Sequence, residues 1–68
     1  MKPAELAKLE AFFKRTFDNP KLSVRARPRK DDSAEVYVGE EFIGVLFRDE
    51  EDGDYNFQMA ILDIDLED

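Results

Sequence analysis

The sequence predicts an α+β domain in which one N-terminal helix packs on one face of a four-stranded antiparallel β-meander, in the order αββββ. Apolar residues recur at helical spacing only near the N-terminus, whereas four later segments alternate apolar and polar residues or are continuously apolar. Short turns that contain Gly, Pro, Asp or Asn separate these segments. At 68 residues the chain has room for one small domain, residues 1–68, with a core of limited size.

The helix is predicted to span residues 3–17. Pro3 suits its first position, where a backbone N–H is not needed, and Asp18-Asn19-Pro20 ends it. Its apolar stripe consists of Leu6, Leu9, Phe13 and Phe17. We interpret the stripe as core that covers the sheet, because a lone amphipathic helix followed by strands needs a sheet to bury its apolar side. The alternative is a helix that binds a partner.

The first two strands are predicted at residues 22–27 and 35–38. The first alternates strictly, which is typical of a half-buried strand, and Pro28 ends it and places it at a sheet edge. After the second strand, Gly39-Glu40 can form a two-residue hairpin turn. This turn sets the expected register with the strand that follows.

The last two strands are predicted at residues 42–47 and 55–64. The third strand is apolar on both faces, and Gly44 within it indicates a bulge or the close approach of another backbone. In the fourth strand the apolar phase shifts towards the end, which predicts a bulge, a bend or the end of the strand. Residues 67–68 are expected to fray.

If the Gly39-Glu40 turn and the acidic turn Asp49–Asp54 set the registers, the sheet has two apolar faces. The face predicted to receive the helix carries Tyr37, Phe42, Leu46, Phe57, Met59 and Ile61. The opposite face has no second helix to cover it, so we predict a partner surface there, formed by Val36, Val38, Ile43, Val45, Phe47, Asn56 and Gln58. Asn56 and Gln58 are either recognition groups on this surface or polar residues of ordinary alternation.

The composition argues against an enzyme. The chain contains no Cys and no His, which excludes disulfides, thiolate nucleophiles and imidazole bases. So small a chain has little room for the deep pocket that a perturbed carboxylate needs. We therefore predict no catalytic residue, no metal site and no cofactor. The N-terminus does not resemble a signal peptide and no stretch is apolar enough to span a membrane, so a cytoplasmic protein without membrane contact is expected.

Charge is distributed unevenly along the chain. The net charge is −7, but residues 1–30 sum to +6 and residues 31–68 to −13. The overall balance argues against nucleic acid as a partner. An alternative function is the binding of a polyanion or nucleic acid through the basic stretch Lys21–Lys30, with Arg25, Arg27, Arg29 and Lys30 as candidate anion contacts. A further possibility is that the two halves simply neutralise each other in the fold.

The acidic turn Asp49–Asp54 could attract a divalent cation, because hard cations prefer clustered carboxylates. It does not fit the EF-hand pattern, since Arg48 stands where the first Asp ligand belongs when Gly53 is set at the sixth position. A solvated turn with weak cation affinity is the simpler interpretation.

Four short motifs carry a resemblance to a known family. They are Ala26-Arg27-Pro28-Arg29-Lys30, Glu35-Val36-Tyr37, Phe42-Ile43-Gly44 and Tyr55-Asn56-Phe57-Gln58-Met59. Nearly the whole chain resembles a family of short bacterial proteins, mainly alphaproteobacterial, that is classed as a domain of unknown function. The resemblance implies a cytoplasmic bacterial protein with a single domain, and it supplies no activity, ligand or catalytic residue.

These observations predict a non-enzymatic protein–protein interaction module. Chains of this length often need a disulfide, a metal or a partner subunit for stability, and the composition excludes cysteine-based staples. Self-association as a homodimer through the sheet is therefore the expected mode. An unusually well-packed core is the competing explanation for the stability of so short a chain.

Overall fold

The computed structural model describes residues 1–67 and confirms the α+β architecture. Helix α1 spans Pro3–Thr16, and the strands are β1 (Leu22–Arg27), β2 (Lys30–Val38), β3 (Glu41–Arg48) and β4 (Tyr55–Gln58). All neighbouring strands are antiparallel, and their order in the sheet is their order along the chain. A short 3₁₀-helix, Asp63–Leu66, follows β4. Residue 68, one of the two residues expected to fray, lies outside the described residues.

Helix α1 begins and ends at signals in the sequence. Lys2 before it is extended and Pro3 takes the first helical position. The helix ends one residue earlier than predicted, because Phe17 is already its C-cap and Asp18 takes a left-handed conformation with φ of 51°. The side chain of Asn19 then accepts the Lys21 N–H at 2.9 Å, which turns the chain into β1.

The core lies between α1 and one face of the sheet. Leu9 and Phe13 of the apolar stripe are buried, Leu6 is partly buried, and Phe17 stays exposed but stacks on Phe13 at 5.7 Å between ring centroids. Phe57 of β4 meets Phe13 edge-to-face at 5.3 Å. The sheet contributes the buried side chains of Leu22, Val24, Ala34, Val36 and Leu46. The middle of the stripe, Leu9 and Phe13, is therefore core as predicted, whereas Phe17 lies exposed at its end.

Strands β2 and β3 are longer than predicted, and β4 is shorter. Strand β2 begins at Lys30, because Arg29 with φ of 66° completes a tight turn after Pro28 and brings Lys30 opposite Arg27. The predicted continuation of β4 to residue 64 is wrong. After Gln58 the chain leaves the ladder, and Asp65 instead accepts the Leu62 N–H at 2.9 Å to close the 3₁₀ turn.

A β-bulge in β3 changes which residues share a face. The predicted turn forms, since Tyr37 lies opposite Phe42, but Val36 lies opposite Gly44, so Ile43 is an extra residue without a direct partner. Successive side chains of a strand point to alternate faces of the sheet. One extra residue therefore places every later side chain of that strand on the opposite face. Leu46 and Phe57 therefore face α1, whereas Tyr37 and Phe42 face away from it, contrary to the predicted grouping.

Gly44 allows both this bulge and the close approach of β4. A Cβ atom at residue 44 would clash with the carbonyl oxygen of Gln58 and would lie 2.7 Å from the Phe57 ring. Only a residue without a side chain fits there. The sequence-based expectation for Gly44, a bulge or a close backbone, is met on both counts.

Candidate interaction surface

The sheet face that points away from α1, here called the open face, is defined by three rows of directly opposed residues. One row runs Asn56–Phe47–Ser33, the next Gln58–Val45–Glu35–Arg25, and the third Phe42–Tyr37–Ser23. Opposed residues in an antiparallel ladder project from the same face. The alternate rows are those that carry the buried core residues, so these three rows lie opposite the helix.

In one half of the open face, an arginine side chain stacks on the first of two neighbouring aromatic rings. The guanidinium of Arg25 lies 3.9 Å from the centre of the Tyr37 ring, and Tyr37 meets Phe42 edge-to-face at 5.7 Å. Arg25 also donates to the Gly39 carbonyl at 3.2 Å, which fixes it over the ring. The Tyr37 hydroxyl donates to Glu35 at 3.0 Å, and this bond raises the pKa of Tyr37 above its ordinary value. The cluster is thus an ordered surface on β1, β2 and the start of β3.

The other half of the open face is apolar and forms a groove. Phe42 is 49% exposed and Phe47 is 37% exposed, with half-buried Val45 between them. Residues 59–62 and Asp65 pass beside this floor and enclose a groove of about 750 Å³. The aliphatic side chains along this wall, Met59, Ile61 and Leu62, are themselves more than half exposed. Large apolar side chains exposed next to one another are typical of a contact surface.

The structure places the predicted partner residues in three different environments. Val45, Phe47, Asn56 and Gln58 lie on the open face, as predicted. The prediction is wrong for Val36 and Val38: Val36 is fully buried under α1, and Val38 packs partly buried against the same core. Ile43 sits in the bulge and also packs against the core. The bulge explains these errors, because it reverses the faces of β3 relative to β2.

The sequence-based prediction of a partner surface leaves out six of the ten residues of the open face: Ser23, Arg25, Ser33, Glu35, Tyr37 and Phe42. Arg25 was assigned to anion binding, and Tyr37 and Phe42 were assigned to the helix side. For Tyr37 and Phe42 the sequence does carry a signal, which is Gly44. A bulge at this position moves Phe42 to the face of Val45 and Phe47.

The four predicted anion contacts do not share one arrangement. Arg25 is held on Tyr37, and Arg27 donates to the Ser33 hydroxyl at 3.2 Å. Arg29 and Lys30 are exposed at the tip of the β1–β2 turn. Two of the four therefore already have partners within the chain.

The two edges of the sheet differ in how their backbones are covered. Along β1, the Glu10 carboxylate of α1 accepts the Val24 N–H at 2.9 Å, so the helix covers that edge strand. At the other edge β4 pairs only with residues 45–48, and residues 41–44 of β3 extend beyond it. The uncovered edge therefore lies beside the groove.

These residues lie within a region that matches a known family. The family described as "Protein of unknown function (DUF3126)" matches residues 5–65. The chain belongs to the DUF3126 family. No curated protein and no solved structure matches the chain. The resemblance stated from the sequence is thus confirmed as a domain of unknown function. Within the DUF3126 chain the matched residues include all four strands and hence the whole open face.

A polar cluster on the α1 side ties the start of the helix to β3 and β4. Arg48 donates from one nitrogen to both carboxylate oxygens of Glu5 at 2.9 Å, and the Tyr55 hydroxyl donates a short hydrogen bond to the same carboxylate. Tyr55 and then Arg48 lower the pKa of Glu5, whereas Glu5 raises the pKa of Arg48 and of Tyr55. Arg48 also forms an ion pair with Glu50 at 3.0 Å and donates to the Asp31 carbonyl at 3.3 Å. All these groups are satisfied by one another, as expected of a structural clasp.

The acidic turn of the DUF3126 chain uses part of its charge to hold its own shape. Asp49 accepts the Glu51 N–H at 2.9 Å and Asp52 accepts the Asp54 N–H at 3.0 Å. Across residues 1–67, acidic side chains are nowhere grouped in threes with the spacing of a metal site. In the same part of the chain, no helix has the length and apolar character needed to cross a membrane.

Proposed function

We propose that the chain is a cytoplasmic bacterial protein-interaction module, not an enzyme, and that it self-associates as a homodimer through its open face. The observation that carries this proposal is the pair of half-exposed rings, Phe42 and Phe47, on a sheet face that α1 does not cover. Burying apolar surface contributes about 25 cal/mol per Å² to the free energy of association, so covering these rings stabilises a complex. The Cys-free composition suits a reducing compartment such as the cytoplasm.

A second copy suits this face better than an unrelated protein. The domain is short, and α1 supplies core to a single side of the sheet. A second sheet packed on the open face gives the two-layer arrangement that sheets prefer, with the inner faces about 10 Å apart. Each copy carries separated positive and negative stretches, so opposite charges are available for an interface between identical chains.

The experiment compares two phenylalanines of similar exposure. Phe42 on the open face is 49% exposed and Phe12 on the outer side of α1 is 47% exposed, and each meets one aromatic neighbour edge-to-face at 5.7 Å. Size-exclusion chromatography with light scattering should give a dimer mass for the native chain and for Phe12→Ser, and a monomer mass for Phe42→Ser. A monomeric native chain at high micromolar concentration would overturn the proposal, as would equal effects of the two substitutions.

Polyanion binding through Lys21–Lys30 is the alternative function, and it has less support. Arg25 and Arg27 already donate within the chain, which leaves the exposed Arg29 and Lys30 as its main basis. Binding to single-stranded RNA at low salt, where counterion release favours it most, would support the alternative. Loss of that binding in Arg29→Gln/Lys30→Gln would assign it to the turn.

A further inference from the structure

The charges at one end of the sheet are segregated between its two edges. Strands alternate in direction, so the β1–β2 turn (residues 27–30) and the β3–β4 turn (residues 49–54) lie at the same end. The first turn carries three basic residues and is followed in β2 by Asp31 and Asp32, whereas the second carries five acidic residues and no basic one. Three strand spacings, roughly 14 Å, separate the two edges. The end of the sheet is thus positive on the β1 side and negative on the β4 side.

Only two symmetric arrangements pack two open faces with their strands aligned. Stacked sheets keep their strands within about 30° of each other, and identical chains usually associate about a two-fold axis. That axis must lie between the faces, either across the strands or parallel to them. The charge pattern distinguishes the two arrangements.

With the axis across the strands, like charges would meet. Each β1 would lie over the β1 of the second copy with its ends exchanged, which sets residues 27–30 over Lys21. The turn at residues 49–54 would lie over the segment after β4, which carries Asp63, Asp65 and Glu67. Both contacts bring together residues of the same sign, which disfavours this orientation.

With the axis parallel to the strands, opposite charges meet. Strand β1 of one copy then lies over β4 of the other with the turns at the same end, so residues 27–30 face residues 49–54. The contact occurs twice, once on each side of the axis. At the opposite end of the sheet, residues 59–62, which line the groove, lie beside Lys21 and Arg25 of the second copy.

We propose that the second copy docks about a two-fold axis parallel to the strands, with the acidic β3–β4 turn of each copy on the basic β1–β2 turn of the other. This inference rests on the proposed function, since it gives the orientation of that homodimer. The rings of Phe42 and Phe47 supply the apolar centre, and the turns form a charged rim. Charges on a rim act mainly on the rate and specificity of association, and salt screens them over about 8 Å at physiological ionic strength.

Charge reversal in two separate chains tests the orientation. One chain carries Arg29→Glu/Lys30→Glu. The other carries Glu51→Lys/Asp54→Lys, which spares Asp49 and Asp52 because their carboxylates hold the turn. The first variant changes the β1–β2 turn from a net charge of +3 to −1, so in its homodimer this turn would face an acidic turn of −5. The second variant reduces the β3–β4 turn from −5 to −1, which removes most of its attraction to the basic turn. We therefore expect the Kd of each homodimer to rise, by at least about tenfold for the first variant. In an equimolar mixture the heterodimer keeps one contact between an unchanged basic turn and an unchanged acidic turn, which neither homodimer has, so native mass spectrometry should show the heterodimer as the main species.

A control variant separates this effect from net charge. Lys8→Glu/Arg15→Glu changes the charge by the same four units as the first variant but lies on the exposed side of α1. We expect it to dimerise like the native chain. Formation of the heterodimer from the two weakened chains also shows that both variants fold.

The outcomes separate this inference from the proposed function. If the native chain dimerises but neither turn variant weakens the homodimer or favours the heterodimer, the orientation is wrong and the open-face dimer stands. If the native chain is a monomer, the proposed function fails, and the orientation fails with it. Weakening in the control equal to that in the turn variants would also overturn the orientation.

Discussion

Val36 of β2 lies directly opposite Gly44 of β3, one residue out of the register that the Gly39-Glu40 turn would propagate. This one pairing decides the character of both faces of the sheet. It moves Val36 into the core beneath α1 and gathers Phe42, Val45 and Phe47 on the open face. The proposed function depends on it, because without the bulge Phe42 would share a face with the buried Leu46.

The first prediction concerns the close approach at Gly44. In Gly44→Ala the new methyl group would clash with the Gln58 carbonyl and the Phe57 ring, so β4 must shift. Overpacking of this kind costs about 1–3 kcal/mol, and we expect a loss of stability in that range in urea unfolding. Hydrogen exchange should accelerate at residues 55–58 first. Gly39→Ala is the control: it has open space but a φ of 60°, so it should cost about 1 kcal/mol without exposing β4.

The second prediction tests which valine of the neighbouring strands is buried. Val36 is fully buried and Val45 is half-buried on the open face. We expect Val36→Ala to cost about 2 kcal/mol, from two buried methyl groups and the cavity they leave. Val45→Ala should cost under about 1 kcal/mol in a dilute sample of the folded chain. Equal losses from the two substitutions, measured by urea midpoints at constant slope, would contradict the bulge.

The third prediction follows from the lowered pKa of Glu5. Tyr55 and Arg48 stabilise the ionised carboxylate in the folded chain, so its folded pKa lies below the ordinary value of 4.5. A depressed folded pKa contributes stability that is present above the unfolded pKa and is lost as the pH falls through the folded one. Glu5→Gln should therefore destabilise the chain at neutral pH and show a smaller deficit in acid. Thermal unfolding of Glu5→Gln across this range checks it, with Glu51→Gln as a surface control. A deficit independent of pH would show that the clasp does not act through the charge of Glu5.

The sequence predicted the elements better than it predicted their pairing. The helix was predictable because apolar residues such as Leu9 and Phe13 recur at helical spacing. Strand β1 was predictable because apolar and polar residues alternate strictly up to Pro28. The turn at Gly39-Glu40 was also placed correctly. These features are local, and local patterns determine them.

The errors have a physical origin in contacts between distant residues. The bulge at Ile43 depends on how β4 passes over Gly44, and the sequence marks this only by one glycine. The end of β4 depends on the capping of Leu62 by Asp65, which competes with pairing to β3. Four of the seven predicted partner residues therefore lie on the open face, whereas Tyr37 and Phe42 were placed on the wrong face.

The most direct test of the open-face dimer is an isotope-filtered NOE experiment on an equimolar mixture of labelled and unlabelled chains. The proposal predicts intermolecular NOEs from the rings of Phe42 and Phe47 to side chains of the second copy. It predicts none from Phe12, which lies on the outer side of α1. Intermolecular NOEs confined to α1, or their absence at concentrations where the mass is that of a dimer, would contradict it.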